Sequence, residues 1–293
     1  MSSVKRINKA RALLKGFREM KTIPAVAVRL IAMIEDDGST LKEFEQVIKV
    51  DPTLVLRLLK LVNSSFFGLR VRIKTIPEAV AYVGMDNLRN LIVLDALKTL
   101  FSKPSHGEKF SRERLWLHCA ATGICCKMIS ERIFVQKGED AFLCGILHDI
   151  GLIVEEQTVP DRFHEFCVSF DPETEGLIDQ ESRIIGTDHP TTGYVLTGEW
   201  QLAPDIGEAV KVHHTTLETI EPKSLAGILQ MAEYLVSRLH YSAFPEEKVG
   251  LTSPPLLVHM KENIVEYRAI VDDLPGEMQK AEEIYSLEDN HHG

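Results

Sequence analysis

The sequence predicts an all-α protein, an N-terminal helical bundle packed on a second helical domain. Three observations carry this. Strand-like alternation is scarce while apolar residues recur at helical spacing along the chain. Helix start and stop signals follow one another at short intervals through the first hundred residues. Ser102 to Lys109, polar and holding both Pro104 and Gly107, then divides the chain.

Taken in order, Pro24 can open a helix running to Glu35, closed by Asp36-Asp37-Gly38. Thr40 with Glu43 makes a capping box. Asp51 before Pro52 fits an N-cap with proline in the first turn, starting a helix over Leu54–Val62 whose spaced leucines face a core. Asn63, in NSSFFG, reads as a C-cap, and Phe66 and Phe67 as core packing. Thr75 and Glu78 form a second capping box, and Gly84 is a left-handed stop before the amphipathic run Asn87–Phe101. The order helix, Gly84, helix is that of a helix-turn-helix. Its second helix offers Arg89 but is otherwise largely apolar, so two packed bundle helices and no nucleic-acid partner are expected.

These signals give residues 1–105 as the N-terminal bundle and 106–293 as the second domain with a C-terminal extension. In that domain helices are expected over 112–133, 139–154, about 181–200, 205–214 and 224–240. Residues 155–179, with Pro160 and Pro172, read as helix plus loop. A last helix should run over 256–285 with a break at Pro275, before a frayed tail.

Composition narrows the function classes. With a net charge of -10 and a pI near 5.6, no overall field draws the chain to nucleic acid or to an anionic membrane. Cys119, Cys125, Cys126, Cys144 and Cys167 form no CxxC pair and lie mostly in apolar runs, as reduced core residues do. The N-terminus has no apolar signal core and no run is long enough to span a bilayer, so a cytoplasmic location without membrane association is expected. His106, His291 and His292 are expected to be solvated.

The chemistry concentrates in Leu143–Leu152, LCGILHDIGL, where His148 and Asp149 interrupt an apolar run. A buried carboxylate is costly unless it is paired or bound to a metal, and imidazole with carboxylate suits a divalent ion. Other ionisable residues share apolar helical settings: His118, His189 after Asp188, His213 and His214 ending DIGEAVKVHH, and Glu233 in GILQMAEYLV. One inorganic centre would remove the separate burial costs of all of them. Neighbouring helical positions point about 100° apart, so His148 with Asp149, or His213 with His214, can serve two metals of one bimetal centre.

LHDIG at Leu147–Gly151, with the earlier His118 and the later histidines, resembles the HD superfamily, many of whose members are metal-dependent phosphohydrolases. IPAVAVRLIAMI, VIKVDPTLVLRLLKLVNSSFFG, IPEAVAYVGMDNLRNLIV, LWLHCA and AFLCGILHDIG together resemble the HDOD family, the HD-related output domain of bacterial signalling proteins, from about Ile23 through His214. The resemblance implies an HD-type second domain and a regulatory or protein-interaction module. Against the metal-binding HD-GYP branch, it implies ligand roles for His118, His148, His189, His213 and His214, a bridging role for Asp149, and Glu233 where a closing aspartate is expected. The divalent ions implied are iron or manganese. Two features of that branch are missing: Leu152 stands where it has a phosphate-neutralising lysine, and HHTTLETIEPKS lacks the GYP signature.

Two functions follow as expectations. One is a cytoplasmic bacterial signal-transduction module that binds metal and acts through a signalling protein partner. The other is a metal-dependent phosphohydrolase with Asp149 and His148 as catalytic residues and a nucleotide, cyclic dinucleotide or other phosphate ligand.

Overall fold

The computed structural model describes residues 2–19, 29–30, 33, 40–48, 52–64, 69–101, 109–244 and 252–286. Every regular element among them is an α-helix. The expected helix from Pro24 with its Asp36-Asp37-Gly38 stop, the Asp51 cap, Phe66, Phe67, the 102–108 junction with His106, and the tail histidines lie outside the described residues.

In the first half, helices α1 (Ser3–Glu19), α2 (Leu41–Ile48), α3 (Pro52–Val62) and α4 (Ile76–Phe101) form. The first capping box closes as expected, with Glu43 and Thr40 exchanging hydrogen bonds; in the second, Glu78 N–H donates to Thr75 Oγ1 while the Glu78 carboxylate accepts from Lys74 N–H rather than from Thr75. Asn63 does more than end a helix. Its amide donates to Leu59 O and Ile73 O and accepts from Ile73 N–H, pinning the loop between α3 and α4. Gly84, at φ 82° and ψ 165°, kinks α4 without leaving a separate loop. Arg89 points inward from α4 and pairs with Asp140, while Asn90 donates to Glu139 O at 2.7 Å.

The second half holds α5 (Arg112–Arg132), α6 (Glu139–Leu147), α7 (Ile150–Thr158), α8 (Pro160–Ser169), α9 (Leu177–Ile185), α10 (His189–Glu199), α11 (Pro204–Val212), α12 (Leu225–Arg238), α13 (Pro254–Glu262) and α14 (Ile264–Ser286). Helix α5 is its axis, with α6, α12 and α14 against it, while α10 lies between α7 and α11. Helix α1 packs on α7 and α10 through Ala10, Leu13, Leu14 and Phe17, all buried.

Three boundaries correct the sequence reading. The expected helix over 139–154 is two helices, parted at His148-Asp149, where His148 Nδ1 closes back on Gly145 O and Asp149 turns to φ -101° and ψ 8°. The expected helix over 181–200 is also two, because Gly186 adopts a left-handed conformation and Asp188 caps α10 by accepting from Thr191 N–H. The last helix breaks at Asn263, whose side chain donates to His259 O, and runs through Pro275.

A buried ion pair within the second half also reaches the first. Arg112 Nε lies 2.6 Å from Glu156 Oε2, and Arg112 also donates to Leu100 O at 2.6 Å, joining the end of α4 to α5 and α7. Replacing Glu156 with alanine leaves the guanidinium buried and unpaired, and should lower unfolding free energy by about 3–5 kcal/mol. Urea denaturation reads this directly. A double replacement, Arg112→Met with Glu156→Leu, should recover most of the loss.

Candidate metal centre

Helix breaks, rather than helix faces, aim the site. Asp149 occupies the N-cap of α7, yet its carboxylate makes no capping hydrogen bond and turns inward. Asp149 Oδ2 lies 3.4 Å from His118 Nε2 on α5 and 3.3 Å from His148 Nε2. Its other oxygen, Oδ1, lies 3.2 Å from His189 Nε2 at the start of α10 and 3.5 Å from His213 Nε2 at the end of α11. Glu233 on α12 closes the first set, with Oε1 3.3 Å from His118 Nε2 and 3.2 Å from His148 Nε2. His214, half-buried, joins the second, its ring centroid 4.2 Å from that of His213 and 5.0 Å from that of His189. All seven predicted residues therefore meet, as two groups sharing Asp149: His118, His148 and Asp149 with Glu233, and Asp149, His189, His213 and His214.

The hydrogen-bond pattern fits a pair of cations. His118 Nδ1 faces Tyr241 O at 2.5 Å, His148 Nδ1 faces Gly145 O at 2.7 Å, and His213 Nδ1 faces Val210 O at 2.6 Å. A carbonyl only accepts, so each Nδ1 carries its proton and each neutral ring presents a bare Nε2 to the centre. His118 and His148 Nε2 stand 3.0 Å apart. Two lone pairs at that separation need a cation between them, a proton or a metal. Asp149 Oδ1, His189 Nε2 and His213 Nε2 are buried and face one another without a well-formed hydrogen bond, as atoms that share an ion would. Imidazole nitrogens with two carboxylates suit a first-row divalent metal.

The electrostatics agree. Burial pushes the Asp149 carboxyl up, but His148, His118 and His189 more than reverse this and hold it well below the ordinary carboxylate range. Burial pulls His118 down, and Glu233 and Asp149 lift it well above the usual imidazole value; His189 is lifted likewise by Glu181 and Asp149, and His148 is raised, against burial, by Asp149 and Glu233. Burial and the neighbouring His213 and His189 keep His214 well below that value. Without a metal, the lifted histidines stabilise the fold fully below pH about 6.5, and this contribution fades as pH rises through their raised values. A metal displaces those protons, so its affinity should climb over the same window. Thermal melts of chelated and manganese-loaded protein should separate further at pH 9 than at pH 6.

Sequence reasoning missed the residues behind the ligands. Glu181, wholly buried on α9, accepts from His189 N–H at 2.8 Å and from its Nδ1 at 2.9 Å. Glu155 accepts from Thr192 Oγ1 at 3.0 Å, and burial together with Glu181 raises its carboxyl well above the ordinary value. Thr122 Oγ1 donates to Glu233 Oε1 at 2.9 Å. An acidic residue eight positions before a histidine carries no signal in a stretch whose apolar periodicity predicts one helix across the turn at Gly186–Asp188. Glu181→Gln should keep the volume but weaken metal binding about 10–100-fold, by competition against a fluorescent chelator.

The HDOD domain model matches residues 20–216, about two thirds of the sequence. This chain belongs to the HDOD family. The HDOD fold also links it to solved structures. An HDOD domain protein of unknown function from Geobacter sulfurreducens superposes with a TM-score of 0.65 at 22% identity, over 93% of this chain and 99% of that one. A proposed signal transduction protein from Marinobacter aquaeolei VT8 gives 0.71 at 16% identity, over 97% and 67%. A proposed metal-dependent phosphohydrolase from Shewanella amazonensis SB2B gives 0.59 at 17% identity, over 95% and 99%. At these identities the likeness is one of fold. An uncharacterized protein of Treponema pallidum is 26% identical over 206 residues, 67% of this HDOD chain, which spans 38% of that protein's length.

Proposed function

We propose that this HDOD protein is a signal-transduction module whose second half holds a dinuclear centre of iron or manganese and which acts through a protein partner. The observation that carries the metal part is the division of Asp149, one carboxylate oxygen toward His118, His148 and Glu233 and the other toward His189 and His213. His118, His148 and Glu233 would hold one ion and His189, His213 and His214 the other, with Asp149 between them. The ligands come from α5, α10, α12 and the ends of α6 and α11, so a bound pair would lock these elements together. Family membership supports the signalling role, with the N-terminal bundle or its junction with the second half as the partner surface.

A second reading, a metal-dependent phosphohydrolase acting on a nucleotide or cyclic dinucleotide, is favoured by one feature: a cavity of about 180 Å³ reaches His214 from the surface. A bound metal pair supplies Lewis acidity and a nucleophile usable at neutral pH. In this reading Asp149 and His148 are the catalytic residues, Thr122 steadies Glu233, and Glu181 steadies His189. Against it, Leu152 is buried in the core, so its position offers no phosphate contact.

The two readings part in one experiment. Manganese-loaded protein, its chelated form and Asp149→Ala are assayed for bis(p-nitrophenyl) phosphate hydrolysis and used as baits in the parent cell's lysate. The signalling reading expects no turnover above the Asp149→Ala level and a specific partner retained by the loaded form. Turnover lost in Asp149→Ala, with no specific partner, would replace it with the hydrolase.

A further inference from the structure

The sequence motifs offer no clamp for phosphate, but helix α1, outside the matched region that begins at residue 20, brings Arg6 to a cavity that His214 also lines. Its second half is anchored by the buried Leu13, Leu14 and Phe17, and its first two turns form a wall of the 180 Å³ cavity. Arg6, Lys211, Tyr194, Asp188 and His214 line this chamber. His214 is shared between the chamber wall and the second ligand set.

Arg6 is held rather than consumed. Its NH1 donates to Asp188 Oδ2 at 2.7 Å, and that carboxylate also accepts from Ser182 Oγ and Thr191 N–H. Arg6 Nε is buried without a partner. Lys211 Nζ lies 4.9 Å from the Tyr194 ring centroid and 3.0 Å from the Glu208 carboxylate. A larger cavity, about 780 Å³, shares Ile7 and Tyr194 with the chamber and is bordered by Arg11 and Glu199. The chamber suits a single tetrahedral oxyanion. The larger cavity is of the size that takes a small organic ligand.

We propose that the chamber binds the phosphate group of a small phosphorylated ligand, with Arg6 as the fixed donor, His214 at the inner end and the rest of the ligand in the groove beyond Tyr194. This deepens the metal-centre reading by naming the ligand class, and it rests on that reading for what lies behind His214. Arginine is the side chain suited to this task, because its planar donors can hold Asp188 and a phosphate together.

Isothermal titration of the manganese-loaded full chain, with inorganic phosphate and AMP as probes, tests it. Phosphate should bind, AMP should bind more tightly, and Arg6→Gln should weaken both at least about tenfold, the loss of a charge-assisted hydrogen bond. Arg11→Gln should weaken AMP alone. Metal content is measured on every sample. If Arg6→Gln disturbs it, Lys211→Gln serves instead and should weaken phosphate in the same direction. Failure of native, fully loaded protein to bind phosphate, or equal binding by native and variants, overturns the proposal while leaving the metal reading standing. Protein that takes up no metal yet binds phosphate in an Arg6-dependent way keeps the chamber and removes the metal reading.

Discussion

Asp149→Ala is expected to abolish high-affinity metal binding at both halves of the site. Asp149 is the carboxylate that both ligand sets share, with Oδ1 and Oδ2 turned to different imidazoles. Without it the second set is three histidines with no anionic donor, and the first keeps only Glu233. An ion bound at about a hundred times its dissociation constant stabilises the fold by about 2.7 kcal/mol, and the variant should lose that increment. Its ion-free form should be weaker too, because His118, His148 and His189 lose the charge that holds their protons. Denaturant titrations with and without manganese separate the two losses. Native protein should shift on loading, and Asp149→Ala should not. Asp149→Asn should resemble it, since the deficit is charge rather than volume.

The second large effect lies two residues on. A Cβ at Gly151 would stand 2.2 Å from His189 O and 2.7 Å from His189 Cα, all backbone that no rotamer change can relieve. Gly151→Ala must therefore push α10 away from α7, at or beyond the upper end of the about 1–3 kcal/mol of overpacking. The displaced residue is His189 itself, so metal uptake at the second set should fall with stability. Gly198→Ala on the same helix is the control. Nothing lies within 4 Å of its added Cβ, so this exchange should be neutral or stabilising by up to about 1 kcal/mol.

Much of the architecture was legible because it is written locally. The capping box at Thr40 closes in full and that at Thr75 on its threonine side, and all five cysteines are buried and free. The metal candidates were legible for another reason: ionisable side chains in apolar runs are anomalous one at a time, and the structure brings all seven together. The breaks were harder. Gly186, Asp188 as N-cap and Pro190 in the first turn were visible signals, overridden by the apolar periodicity around them. The break at His148-Asp149 had no such signal, because it rests on an imidazole closing onto Gly145 O. Glu181 and Arg6 act through contacts 8 and 182 residues apart, which no local pattern encodes.

The proposed dinuclear centre puts Asp149 between two metal ions. Elemental analysis of protein carrying His291→Ala and His292→Ala, loaded with manganese and desalted, tests it most directly. Two ions per chain are expected, both lost on Asp149→Ala. One ion or none in the loaded protein, or a content unmoved by Asp149→Ala, would contradict it.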